Sequence, residues 1–129
     1  MIPDSKTNFL YLAGCLPELF PEFYDRFKKV LTESSINFEL LPNTKDVWVR
    51  DYMPVQIGVN DFVQFVYDPD YLKPKEYMHL KSNPDEICTA IQINPRKSKL
   101  VIDGGNVNRT SDKVIMCDKL FKEIGRAHV

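Results

Sequence analysis

Trp48-Val49-Arg50-Asp51-Tyr52-Met53-Pro54 is the stretch on which the reading of this chain turns. An apolar residue alternates with a polar or aromatic one from Val47 to Arg50, which predicts a short strand. Val47 and Val49 then face one side, and Trp48 and Arg50 the other. Asp51 falls where that strand ends. A carboxylate beside an aromatic side chain suits a cation, because the ring offers a flat wall and the carboxylate two acceptors. Taken alone, a partly buried Trp with an Arg–Asp surface pair is the simpler account.

Working outward, a second stretch stands out. Leu100 to Ile102 reads as an apolar strand running into Asp103-Gly104-Gly105-Asn106. Glycine permits a close backbone approach to a ligand. A tight turn held by Asp103 and Asn106 explains the same residues. The spacing is neither a dinucleotide fingerprint nor a P-loop.

Around these, strands and helices are mixed, so the class is α/β or α+β. Asn8 to Ala13 is an apolar run that ends at Gly14, read as a buried strand. Pro17 and Pro21 mark possible helix starts. Leu16, Phe20, Phe23, Phe27 and Val30 or Leu31 form the apolar stripe of an amphipathic helix, with Glu22, Asp25, Arg26, Lys28 and Lys29 mostly on the wet side. Ser34 and Ser35 end that helix. Phe38 to Leu40 alternates as a strand. Pro54 to Ile57 leads into a turn at Gly58, Asn60 and Asp61, and Phe62 to Tyr67 is a further strand. Leu72 to Asn83 is irregular, and Pro84 opens a helix through Ile91. Val107 to Arg109 and Val114 to Met116 read as a hairpin. Asp118 caps a last helix at Lys119 to Glu123.

The 129 residues are 43% hydrophobic, enough for a domain with a real core. Lys and Arg (17) nearly balance Asp and Glu (18), for a net charge of −1. Neither a nucleic-acid partner nor a polybasic membrane patch is expected from that balance. Met1 to Asn8 lacks the pattern of a secretory signal, and the apolar runs are too short for a membrane span. Cys15, Cys88 and Cys117 have no zinc spacing and read as structural thiols in a reducing cytoplasm. His79 reads as a solvated loop histidine. No metal or organic cofactor is expected. The tail Glu123-Ile124-Gly125-Arg126-Ala127-His128-Val129 matches one reading frame of a common sequencing adapter. Residues 1–123 are therefore expected to be the genuine domain and 124–129 artificial read-through, so His128 carries no weight.

Together the two stretches resemble the agmatine deiminase family, which includes bacterial peptidylarginine deiminases. The likeness rests on W-x-R-D-x-x-P at Trp48 to Pro54, followed by an acid-Gly-Gly-Asn element at Asp103 to Asn106. It runs from Asn8 to Glu123 and corresponds to about the first third of a family member. It implies a pentein, or α/β propeller, of which this chain supplies about the first two of five αβ modules around a central channel. It also implies hydrolysis of a guanidine C–N bond through a cysteine thiouronium intermediate. Agmatine, a precursor in putrescine biosynthesis, is the first substrate expected and peptidyl-arginine the second.

By that resemblance Asp51 holds the guanidinium and Asp103 is a second catalytic acid, shorter than the glutamate common in relatives. Trp48 lines the channel, Gly104 and Gly105 allow close approach, Asn106 orients the loop, and Arg50 binds substrate or pairs with a structural acid. The family's H-x-D histidine and late Gly-rich cysteine motif have no match here, so the chain alone is expected to be inactive. Two other readings stay open. One is a non-catalytic guanidine-binding or interaction module, and the other is a plain α/β domain in which both stretches are turns.

Overall fold

The structure is a computed structural model that describes residues 2–117. The helix expected at Lys119 to Glu123 and the tail after it lie outside the described residues. The fold is mixed α/β, built from three small sheets and short helices.

The first unit is a βαβ crossover. Strand β1 (Leu10–Ala13) pairs in parallel with β2 (Phe38–Leu41), with Leu10 opposite Phe38 and Ala13 opposite Leu41. Parallel strands need a long connection, and two helices make it: α1 (Leu16–Leu19) and α2 (Pro21–Glu33). They are separate because Phe20 precedes a proline, and a residue there is pushed out of the helical region; Phe20 has φ −139° and ψ 62°. Ser34 and Ser35 end α2 as the sequence predicts. Ser35 takes the left-handed conformation at φ 54°. The amides of Ser35 and Ile36 reach back to the carbonyls of Thr32 and Leu31, which satisfies carbonyls the helix end would leave unpaired.

The expected apolar stripe is split over α1, Phe20 and α2, and its burial departs from expectation. Leu16 and Leu31 are buried, but Phe20, Phe23 and Val30 stay exposed, with Phe23 and Phe27 stacked at 5.4 Å. The two-stranded sheet beneath offers cover for only part of a stripe this wide.

The second unit is a three-stranded sheet. A hairpin joins β3 (Val55–Gly58) to β4 (Asp61–Val66), and β5 (Arg96–Val101) adds in parallel on the far side of β4. The crossover carries 3-10 turns at Asp70–Leu72 and Met78–Leu80, then α4 (Pro84–Ala90). Asn83 caps α4 by accepting from the Asp85 amide at 3.0 Å. Strand β5 starts earlier than the expected Leu100, in the charged run Arg96-Lys97-Ser98-Lys99. It is an edge strand, where charge is tolerated and deters further pairing. Arg96 grips the Asp61 carboxylate with two hydrogen bonds, at 3.1 and 2.7 Å. The third sheet is the expected hairpin, β6 (Val107–Arg109) against β7 (Val114–Met116).

The expected strand at Val47 to Arg50 is not formed. Residues Val49–Tyr52 make a single helical turn, α3. The core explains the change. Leu41, Tyr52, Tyr67, Leu72 and Ile87 pack as one cluster, and Val49 and Met53 lean on it. Val49, Tyr52 and Met53 fall at i, i+3 and i+4, which share a face only in a helix. The Val47–Val49 alternation loses to that demand, and Arg50 and Asp51 are turned away from the core.

Tyr52 is the anchor of this arrangement. It is 0% exposed, its ring lies 5.8 Å from that of Tyr67, and its hydroxyl donates to the Asp46 carbonyl at 2.8 Å. Tyr52→Phe removes one buried hydrogen bond and is expected to cost about 1–2 kcal/mol. Tyr52→Ala opens a cavity and is expected to cost about 3–5 kcal/mol. Urea unfolding of the variants checks both values.

Candidate functional site

The two singled-out stretches meet in space. Residues Gly104–Asn106 form a 3-10 turn that packs on α3. A β-carbon built on Gly104 would overlap the carbonyl oxygen of Arg50, and one on Gly105 would overlap Oδ1 of Asp51. Neither glycine has a positive φ. They are needed here for close approach alone, and what they approach is α3.

That contact sets the carboxylates. Asp51 Oδ1 accepts from the Gly105 amide at 3.2 Å. Asp103 Oδ2 accepts from the Asn106 side-chain amide at 3.4 Å, and the Asn106 backbone amide donates to the Asp103 carbonyl at 2.9 Å. Asn106 thus closes the turn on Asp103. Arg50 points elsewhere: its Nη2 donates to the Val107 carbonyl at 3.0 Å and ties α3 to β6. Trp48 immediately precedes the helical turn that carries Asp51 and is 60% exposed.

Electrostatics single out Asp51. Partial burial raises its pKa above the ordinary carboxylate range, and the charge of Asp103 adds to the rise. The Gly105 amide lowers it, Asp46 raises it, and Arg50 lowers it. The rise means that Asp51 lacks a counter-cation close enough to offset its surroundings. Among the described residues, no Lys or Arg lies within 4.0 Å of Asp46, Asp51 or Asp103. By contrast, Asp61, Asp68 and Asp85 each have a cation, Asp85 through Lys97.

Three residues of this region go unnoticed in the sequence. Asp46 lies two positions before Trp48, and that adjacency is the one signal for it. Tyr67 and Tyr71 carry none. The hydroxyls of Tyr67 and Tyr71 are 2.7 Å apart, and Tyr71 donates to Asp46 Oδ2 at 3.2 Å. Both phenols are raised in pKa, first by burial, and both feel the charges of Asp46 and Asp51.

Other candidates stand apart. A cleft of about 500 Å³ between β1, α3 and β6 takes Arg50, Met53, Pro54 and Asn108 in its lining, with Phe9 and Tyr11 opposite. Asp51, Asp103 and Trp48 do not line it. His79 is exposed on its 3-10 turn. The three cysteines are free thiols: Cys88 is buried, Cys15 half-buried and Cys117 exposed. Among the described residues, no group of three or more His, Cys, Asp or Glu is placed to hold a metal ion, and no helix is long and apolar enough to cross a membrane.

Comparison of the chain with protein-family models, with curated proteins and with solved structures returned no match in any of the three.

The two glycines have separable roles. Gly104→Ala sets a methyl against rigid backbone and is expected to cost about 1–3 kcal/mol of stability. Gly105→Ala meets the movable end of the Asp51 side chain, so a smaller loss with a displaced carboxylate is expected. Thermal unfolding and the NMR pH titration of Asp51 separate the two effects.

A raised acid pKa also has a stability signature. At low pH Asp51 is protonated both folded and unfolded and makes no difference. As pH rises past the ordinary carboxylate range the unfolded chain releases its proton first, so folding weakens up to the raised folded value and stays weaker above it. Asp51→Asn removes this loss. The variant is expected to melt higher than wild type at pH 7, with the gap closing in acid. A series of melts from pH 3 to pH 8 checks the sign.

Proposed function

We propose that this chain is the substrate-gripping part of a guanidine deiminase, with agmatine the first substrate and peptidyl-arginine the second. The observation that carries the reading is the docking of Asp103-Gly104-Gly105-Asn106 on the Trp48–Pro54 segment. Two stretches far apart in sequence, each able to be an ordinary turn, are locked together by glycines and leave acids without cations. A guanidinium is planar, stays protonated at neutral pH and presents paired N–H donors, which two carboxylates suit.

In this reading Asp51 and Asp103 hold the guanidinium, and Trp48 covers its face or the chain leading to it. Arg50 braces α3 against β6. The partial desolvation of Asp51 strengthens its attraction to a cation. A cysteine thiolate supplied by the rest of the enzyme adds to the guanidinium carbon. A histidine protonates the leaving nitrogen, the C–N bond breaks and ammonia departs. Water then adds to the thiouronium carbon and the C–S bond breaks, giving a urea and the free thiol. The sum is guanidinium plus water giving a urea plus ammonium. Under this reading the chain makes about two αβ modules of a pentein, for which the β1–α2–β2 crossover, the β3–β4–α4–β5 unit and the following hairpin offer support.

The test is made on the intact enzyme of which this reading makes the chain a part. Asp51→Asn and Asp103→Asn are each expected to lower kcat/KM for agmatine by about 100-fold or more, since each removes a charge-assisted grip. The 129-residue chain itself is expected to bind agmatine and release no ammonia. Unaltered activity in both variants would contradict the reading. Agmatine binding with no cysteine and histidine motifs in the intact gene would favour a non-catalytic guanidine-binding module.

A further inference from the structure

We propose that the open edge of β1 is a docking site for an extended peptide, which adds as an antiparallel strand and sets a carboxylate on Arg50. The proposal stands apart from the guanidine reading, because Asp51, Asp103 and Trp48 do not line the cleft beside β1.

The chain repeats its own architecture, and the first copy lacks one strand. In each of the first two units a strand crosses over through helix to a parallel neighbour, β1 to β2 and β4 to β5. In the second unit the antiparallel strand β3 covers the other edge of β4. The matching edge of β1 has no strand on it among the described residues. The Leu10 amide donates to the Asn37 carbonyl at 2.9 Å, so Leu10, and Leu12 after it, turn their main-chain groups to β2. Tyr11 between them turns its N–H and C=O to the open edge. The residues before β1 are engaged elsewhere: the Ile2 amide donates to the Gln56 carbonyl of β3 at 3.2 Å. A strand edge left open in this way is a template for another strand.

The cleft of about 500 Å³ beside β1 defines what that strand carries. Phe9, Leu10 and Tyr11 all line it. Side chains alternate between the two faces of a strand, so three consecutive lining residues bring the backbone edge itself into the cleft. Phe9 and Tyr11 are 42% and 38% exposed, with ring centroids 5.0 Å apart, and offer apolar cover to alternate side chains of an incoming strand. Arg50 lines the same cleft from α3. Its Nη2 donates to the Val107 carbonyl at 3.0 Å, and among the described residues no carboxylate lies within 4.0 Å of its guanidinium. A guanidinium has five N–H donors in a fork that matches a carboxylate. The occupant is therefore an extended segment with an Asp or Glu: its main chain pairs with β1, and its acid meets Arg50.

NMR titration of the 129-residue chain with three capped peptides tests this: TVEVT, TVQVT, and TVEVT with N-methylated backbone amides. TVEVT is expected to give saturating shifts at the Tyr11 amide and the Arg50 Nε–H. TVQVT is expected to bind weaker by on the order of tenfold, the scale of one charge-assisted contact. The N-methylated peptide, which cannot donate to the β1 edge, is expected not to bind. Arg50→Gln is expected to erase the preference for the acidic peptide. Because Arg50 also braces α3, the comparison of peptides on the wild-type chain decides the matter even where that variant fails to fold. No shift at Tyr11, or equal binding of TVEVT and its N-methylated form, would overturn the strand docking. Equal binding of TVEVT and TVQVT would overturn the role of Arg50. Self-association of the chain that shifts the Tyr11 amide without peptide would give the edge to a second copy and overturn the proposal.

Discussion

The close approach of the Gly104–Gly105 backbone to α3 is the constraint from which the rest of the site follows. The carbonyl of Arg50 occupies the space a β-carbon on Gly104 would need, and Asp51 does the same at Gly105. A loop pressed this tightly onto a helical turn has little freedom to move its side chains relative to those of the turn. The Gly105 amide sets one oxygen of Asp51, and the same loop carries Asp103. Arg50 completes the clamp by reaching the β6 carbonyl of Val107. The packing behind α3, through Val49, Tyr52 and Met53, holds the other side. Apolar burial on one face of a single helical turn thus aims the polar groups on its other face.

This arrangement sets stability against binding. Asp51 is partly desolvated and near a like charge, which folding alone has no reason to favour. Charges left in that condition are common where a ligand of opposite sign completes the set. Three other acids are treated differently: Asp61, Asp68 and Asp85 sit against Arg96, Lys81 and Lys97. What sets Asp51 apart is that its missing counter-cation coincides with partial burial beside Asp103.

Much of the framework was legible in sequence because it depends on local chemistry. Pro21 and Ser34-Ser35 bound α2, Pro84 opens α4, and the strands at Leu10, Phe38, Phe62 and Val107 follow from short apolar or β-branched runs. The two key stretches were legible as well, but not their contact, which links residues more than fifty positions apart through a backbone fit. The turn α3 was misread because its alternation from Val47 to Arg50 is local, whereas its helical spacing of Val49, Tyr52 and Met53 answers to a distant core. The charged start of β5 hid a strand that an exposed edge tolerates. Asp46, Tyr67 and Tyr71 were missed because hydroxyl relays between distant segments leave no periodic trace. The exposed stripe of Phe20, Phe23 and Val30 shows the opposite error, in which an apolar pattern promised burial that a two-stranded sheet cannot supply.

The most direct measurement of the central claim is an NMR titration of the chain with agmatine, followed at the backbone amide of Gly105 and the indole N–H of Trp48. The account predicts that both signals shift together and saturate, because the proposed grip sets the guanidinium on Asp51, which the Gly105 amide binds, and against Trp48. Saturating shifts confined to other residues, or none at these two, would contradict it.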